Sequence, residues 1–127
     1  ELNLDGLHIG SKDIDIASAR SFLGKKKIIG VSCYNNIKLS LSAEKNSASY
    51  VSFGSLYNTS TKSNASNLNE ITFVSAKKVL SIPICLIGGI NSDNIHYVIK
   101  LNSDLIAISK GLSSNDKLEY ISNAYYE

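Results

Sequence analysis

Five short apolar runs, each handing over to a stretch with helical patterning, predict an α/β fold built on a parallel sheet. Two further observations narrow the architecture. The residue closing each run is small or carries a hydroxyl: Gly10, Ser32, Gly54, Gly88 and Ser109. Such residues suit a rim on which ligands sit among the loops that follow the strands. No linker, low-complexity tract or charge block divides the 127 residues. A sheet of this kind closes as an open doubly wound sheet or as a (β/α)8 TIM barrel, and the trim of the strand ends favours the barrel. A barrel needs eight strands and about 200 residues or more. The chain is therefore expected to supply about strands 4–8 and their helices, with three strands lying before residue 1. The absence of methionine and a start in the approach to a strand agree with that expectation. Residues 1–127 read as the C-terminal portion of a single TIM-barrel domain.

Taken in order, the first strand is expected over Gly6 to Ile9 and the first helix over Asp13 to Leu23. Asp13 or Asp15 can cap that helix, and Gly24 is a natural stop. Lys27 to Ser32 is the second strand. The segment Ile37 to Ala43 alternates apolar and polar residues, which locally reads as a strand. Its place between two strands in a repeating β-α order argues for a helix, and the order is given precedence. Tyr50 to Phe53 is the third strand. Asn69 to Leu80 is a helix with Ile71 and Val74 at i, i+3, and Pro83 blocks its continuation. Ile84 to Ile87 and Leu105 to Ser109 are the last two strands. Between them Asp93 to Leu101 sets Ile95, Val98 and Ile99 on one helix face. A final helix, Asp116 to Tyr125, places Leu118, Ile121 and Tyr125 on one side.

Composition excludes several classes. Hydrophobic residues make up 43%, enough for a core, and a net charge of +2 is too small to argue for nucleic acid or an acidic membrane. No run approaches the roughly 18 apolar residues of a bilayer span. Cys33 and Cys85 lack C-x-x-C spacing and read as buried thiols of a reducing, cytoplasmic protein rather than a disulfide or metal pair.

The stretch from Phe53 to Lys62 carries the most chemistry. Gly54 lets backbone approach a ligand closely, Thr59, Ser60 and Thr61 supply hydroxyls and amides, and Lys62 adds a point charge suited to phosphate. An ordinary polar surface loop is the alternative. Ile87-Gly88-Gly89-Ile90-Asn91 and Leu105 to Gly111 each follow a strand. Adjacent loops of this kind form phosphate sites through glycine amides and helix N-termini, although tight βα turns need the same residues. Asp13 reads either as a helix cap or as a hard oxygen ligand for Mg2+ that keeps waters and a diphosphate as its other ligands. His8 reads as a packed, hydrogen-bonded interior residue, and His96 as a helix-surface residue. No Ser-His-Asp arrangement or zinc spacing is visible.

These residues together resemble a known family. Asp5-Gly6-Leu7-His8-Ile9-Gly10, Ile28-Ile29-Gly30-Val31-Ser32, Phe53-Gly54 running to Thr59-Ser60-Thr61-Lys62, Ile82-Pro83-Ile84-Cys85-Leu86-Ile87-Gly88-Gly89-Ile90 and Ile106-Ala107-Ile108-Ser109 occur in the order and spacing of thiamine-phosphate synthase (thiamine-phosphate pyrophosphorylase). The resemblance implies a Mg2+-dependent transferase of thiamine biosynthesis. It joins hydroxymethylpyrimidine diphosphate to thiazole phosphate and releases pyrophosphate. It further implies that Asp13 is a Mg2+ ligand and that Ser32 and Lys62 bind the pyrimidine diphosphate. Thr59, Ser60, Thr61, Gly89, Ile108 and Ser109 would bind the thiazole phosphate. No protein nucleophile is implied. The partners expected are small phosphorylated substrates, with no nucleic acid or membrane, and a homo-oligomer is left open.

Departures from the family pattern are specific. Tyr34 stands where a histidine is usual, Ser55 and Asn58 replace prolines, Asn67 and Asn102 replace glycines, and Lys12 replaces an acidic residue. A second Mg2+ ligand and the basic diphosphate clamp belong to strands outside this chain, so the polypeptide alone is expected to be inactive. A thiazole tautomerase of the same fold and a non-catalytic phosphate-binding barrel are the competing readings. The tautomerase relies on the histidine that Tyr34 replaces.

Overall fold

The computed structural model describes residues 4–57, 69–112 and 114–126. Among them, five strands form one parallel sheet in the order β1-β2-β3-β4-β5: Gly6–Ile9, Ile28–Tyr34, Tyr50–Phe53, Ile84–Ile87 and Leu105–Ala107. The helices are α1 Ile16–Leu23, α2 Ile37–Lys45, α3 Glu70–Val79, α4 Ile95–Lys100 and α5 Asn115–Tyr126, with a 3-10 turn at Lys110–Leu112. Each strand pairs with the next in sequence, so the order never reverses. With right-handed crossovers this order lays successive helices on the same face of the sheet. A doubly wound sheet needs a reversal point, and these five strands have none.

Register decides which side chains share a face. Ile9, Val31, Val51 and Ile84 are in line across β1 to β4, as are His8, Gly30 and Tyr50 across β1 to β3. Side chains alternate along a strand. One face therefore carries Ile29, Val31, Cys33, Val51, Phe53, Ile84 and Leu86, all buried. Ala19, Ala43, Phe73, Ala76, Ile95 and Val98 from the helices complete that core. The opposite face carries His8, Ser32, Tyr50, Ser52 and Cys85, with Ile28, Ile87 and Leu105 exposed beside them.

The helix over Ile37–Lys45 forms despite its local alternation. Asn36 caps it by accepting a hydrogen bond from the Leu39 amide at 3.0 Å, and the buried positions are Ser40 and Ala43, three apart. Leu39 and Leu41, which create the alternation, are exposed. In α3 the expected face is corrected. Ile71 is 74% exposed and Val74 48%, whereas Phe73 and Ala76 are buried, because the i, i+3 pair that meets the sheet lies two positions on. In α5, Ile121 and Ala124 are buried while Leu118 and Tyr125 are exposed. The face Ile95, Val98 and Ile99 of α4 packs as expected. Strand β2 runs two residues beyond Ser32, through an irregularity between Ser32 and Tyr34, and β5 stops at Ala107. Cys33 and Cys85 are free and buried, and burial pushes their thiols up to about 12 and about 11. No helix among the described residues is long and apolar enough to cross a membrane.

Candidate functional site at the carboxyl ends of the strands

Because all five strands run parallel, Asp13, Ser32, Tyr34, Gly54, Gly89 and Ser109 fall at or just beyond the carboxyl edge of one sheet. The loops there are joined neighbour to neighbour. Tyr34, at the end of β2, donates its hydroxyl to Ser11 Oγ at 3.1 Å and accepts from the Ser11 amide at 3.4 Å. The Gly54 amide donates to the Tyr34 carbonyl at 3.1 Å. Leu56 and Tyr57 amides donate to the carbonyls of Ile87 and Gly88 at 3.0 and 3.1 Å. A Cβ on Gly88, whose φ is 105°, would overlap Ser55, and one on Gly111 would come within 3.0 Å of Asn91 Cα. Those two glycines are thus required by close approach of the β3–α3, β4–α4 and post-β5 loops.

Asp13 is released from the capping role. Asp15 caps α1, accepting from the Ser18 amide at 3.0 Å and from its hydroxyl at 2.6 Å, and these bonds hold the Asp15 carboxyl below its ordinary range. The expected helix start at Asp13 therefore moves to Ile16. Asp13 is exposed on the loop, with Oδ2 accepting from the Gly10 amide at 2.7 Å. A carboxylate so oriented retains lone pairs for a hard cation. Among the described residues no group of three His, Cys, Asp or Glu side chains could hold a metal ion. Asp13 fits a magnesium ion whose remaining ligands are waters and phosphate oxygens, and does not fit an all-protein cage.

His8 is hydrogen-bonded as expected, but it is exposed on the open face instead of packed inside. Its Nδ1 lies 2.9 Å from the Tyr50 hydroxyl and its Nε2 2.9 Å from Ser32 Oγ, with Ser52 Oγ at 3.5 Å. Burial depresses the His8 pKa, opposed by the Asp13 charge, so the ring is neutral near pH 7. The Tyr50 and Ser52 contributions escaped sequence reasoning. A usable signal existed: Tyr50 and Ser52 are two apart on one strand, as are Gly30 and Ser32 on its neighbour.

Ser32 is half-buried in β2, Gly89 lies in the turn after β4 with φ 68°, and Ile108 and Ser109 follow β5 directly. The side-chain amide of Asn94 donates to the Gly89 carbonyl at 3.0 Å, and its oxygen accepts from the Asn91 amide at 3.0 Å, so this turn is pinned. Thr59, Ser60, Thr61 and Lys62, with Asn58 and Asn67, lie outside the described residues. His96 is on the surface of α4 and bonds Tyr120 at 3.0 Å.

A family model described as TMP-TENI, thiamine monophosphate synthase, matches residues 1–112. The thiamine-phosphate synthase of Nitrosomonas eutropha is 44% identical over 119 residues, which is 94% of this chain and 56% of that protein. The Clostridium acetobutylicum thiamine-phosphate synthase is 42% identical over 118 residues, 93% of this chain and 56% of that protein. The structure of thiamine phosphate pyrophosphorylase from Pyrococcus furiosus superposes with a TM-score of 0.82 at 29% identity, covering 96% of this chain and 59% of that one. The chain thus spans about half the length of the curated relatives it matches. With a matching family model over most of its length and relatives above 40% identity, the chain belongs to the thiamine monophosphate synthase family.

Proposed function

We propose that these five strands are consecutive staves of an eight-stranded barrel, and that their carboxyl rim forms part of a thiamine-phosphate synthase site. The observation that carries the reading is the continuous rim. Four neighbouring loop contacts join the carboxyl ends of the five strands, at or beyond which Asp13, Ser32, Gly89 and Ser109 occur in the chain. The monotonic strand order and the exposure of His8, Ile28, Ile87 and Leu105 on the face away from the helices support closure into a barrel.

In this reading the reaction condenses hydroxymethylpyrimidine diphosphate with thiazole phosphate. The C–O bond to the diphosphate breaks, the carbon gains positive charge, and the thiazole nitrogen attacks it. Ser32 and Lys62 hold the departing diphosphate by a hydroxyl bond and a charge. Thr59, Ser60, Thr61, Gly89, Ile108 and Ser109 hold the thiazole phosphate, a handle that orients the nitrogen. Asp13 would hold magnesium, which when bound neutralises the diphosphate and stabilises its departure. Small phosphorylated molecules are the partners of such a site.

The test supplies both substrates and Mg2+ to this chain alone, and to a polypeptide carrying it behind three amino-terminal β/α units of the family. Pyrophosphate released only by the longer protein, and only with both substrates present, is the expected result. Isomerisation of a thiazole phosphate alone would identify a tautomerase. Phosphate binding by the longer protein without turnover would identify a non-catalytic barrel.

A further inference from the structure

Three adjacent strands place His8, Gly30 and Tyr50 in one row on the open face of the sheet. Side chains two strands apart do not normally meet over an intervening residue. Here they do, because the middle position is glycine. A Cβ on Gly30 would overlap the Tyr50 hydroxyl and His8 Nδ1. One step toward the carboxyl end, Ser32 and Ser52 pair across β2 and β3 and both face the other ring nitrogen. The imidazole is thus held at both nitrogens by three hydroxyls from two strands that are not its own.

The polarity of this row follows from the donors available. A neutral imidazole carries one N–H and one lone pair. The Tyr50 phenol is the most acidic hydroxyl of the three, and among the described residues it meets no other acceptor. It donates to Nδ1. The proton then sits on Nε2 and donates to Ser32 Oγ. The reverse tautomer leaves the phenolic proton without an acceptor and makes Ser32 give its own proton to Nε2. Ser32 is the nearer serine to Nε2, at 2.9 Å against 3.5 Å for Ser52, so the first arrangement is the one that leaves its hydroxyl proton free for an anion.

We propose that Tyr50 and His8 are positioning residues: through the Nε2–H tautomer they make Ser32 a hydrogen-bond donor toward an anionic oxygen of the substrate. The polarity Tyr50 to His8 to Ser32 is a property of the fold; naming the anion as a diphosphate rests on the proposed function. Ser52, buried and 3.5 Å from Nε2, stands as a weaker second acceptor for that N–H in this tautomer.

The test has two parts. Nitrogen-15 shifts of the imidazole in the protein report the tautomer without any substrate. A protonated Nε2 is expected, and in Tyr50→Phe the population moves toward protonated Nδ1. A protonated Nδ1 in the unsubstituted protein, or no change in Tyr50→Phe, overturns the proposal. Titration with inorganic pyrophosphate in Mg2+, on the polypeptide that carries this chain behind three amino-terminal β/α units of the family, tests the consequence. Tyr50→Phe and Ser32→Ala each weaken binding by about fivefold to tenfold, and the double substitution weakens it no further, as expected of residues acting in series. Fully additive losses, or unchanged affinity in Tyr50→Phe, overturn the proposal. Failure of the unsubstituted longer polypeptide to bind pyrophosphate overturns the proposed function and the ligand named here, while the imidazole shifts still decide the polarity of the row.

Discussion

The two ends of the sheet are built from different materials. At the amino end, charged side chains are used up on backbone groups. Arg20 donates to the carbonyls of Gly24, Lys27 and Ser47 and to Ser49 Oγ, tying α1 to the turns before β2 and β3. Glu44 accepts from the Ser81 and Ile82 amides, and Asp104 accepts from the Ile84 amide at 2.8 Å. At the carboxyl end, backbone bonds, glycines and hydroxyls join the loops, and the carboxylate of Asp13 is exposed. The contrast teaches where each kind of charge can work. A charge spread over several backbone groups, as those of Arg20 and Glu44 are, holds the fold and has little left to offer a ligand, whereas the Asp13 carboxylate has one bond among the described residues, from the Gly10 amide. A charge on a loop whose backbone is already joined is available for one.

The largest effect expected from breaking this division is Arg20→Met. It removes the bonds to three carbonyls, of which the Lys27 carbonyl is part-buried and the others reach solvent, and lowers stability by about 1–2 kcal/mol, measured by denaturant unfolding, with pyrophosphate affinity unchanged. A loss of affinity without a loss of stability would undo the comparison.

Next are the thiols midway between the ends. With Cys33 raised to about 12 and Cys85 to about 11, alkylation at pH 8 is slower in the folded than in the unfolded chain by on the order of 100-fold at Cys85 and on the order of 1,000-fold at Cys33. The sign of the linkage follows. Both thiols stay protonated in the folded state while those of the unfolded chain ionise near 9, so stability falls as pH rises above about 9. Rapid alkylation of either thiol in the native protein would show that the middle of the sheet is open.

Asp13→Asn is the complementary change at the carboxyl end. Its amide oxygen can still accept from Gly10, so the unfolding midpoint stays in place. Pyrophosphate binding in Mg2+ weakens by about tenfold through loss of the carboxylate, read by titration. Unaltered binding would remove Asp13 from the site. The smallest effect is expected from Tyr34→Phe. Losing both bonds to Ser11 frees the Asp13 loop at one exposed point, a change of about 0.5–1 kcal/mol in stability and a small rise in the Mg2+ concentration that pyrophosphate binding requires.

Much of this was legible in the chain. The β-α alternation, the strands Gly6–Ile9, Tyr50–Phe53 and Ile84–Ile87, and the small residues at their ends are local patterns, and the structure keeps them. The order of elements outweighed local alternation at Ile37–Lys45 because Leu39 and Leu41 are exposed and carry no packing information. Local pattern failed where two faces of a helix were both apolar. Ile71 and Val74 compete with Phe73 and Ala76, and the larger aromatic ring won the core. It left a choice open at α1, where either of two aspartates could cap; Ser18 donates to Asp15 and so frees Asp13.

The sequence by itself determined the kind and order of the elements and the family to which they belong, because periodicity and motif spacing act over a few residues at a time. Only the tertiary structure decided that His8 meets Tyr50 across Gly30, 42 residues away along the chain. That meeting depends on strand register, which no local run of residues contains: one step of slip would turn every one of these side chains to the opposite face.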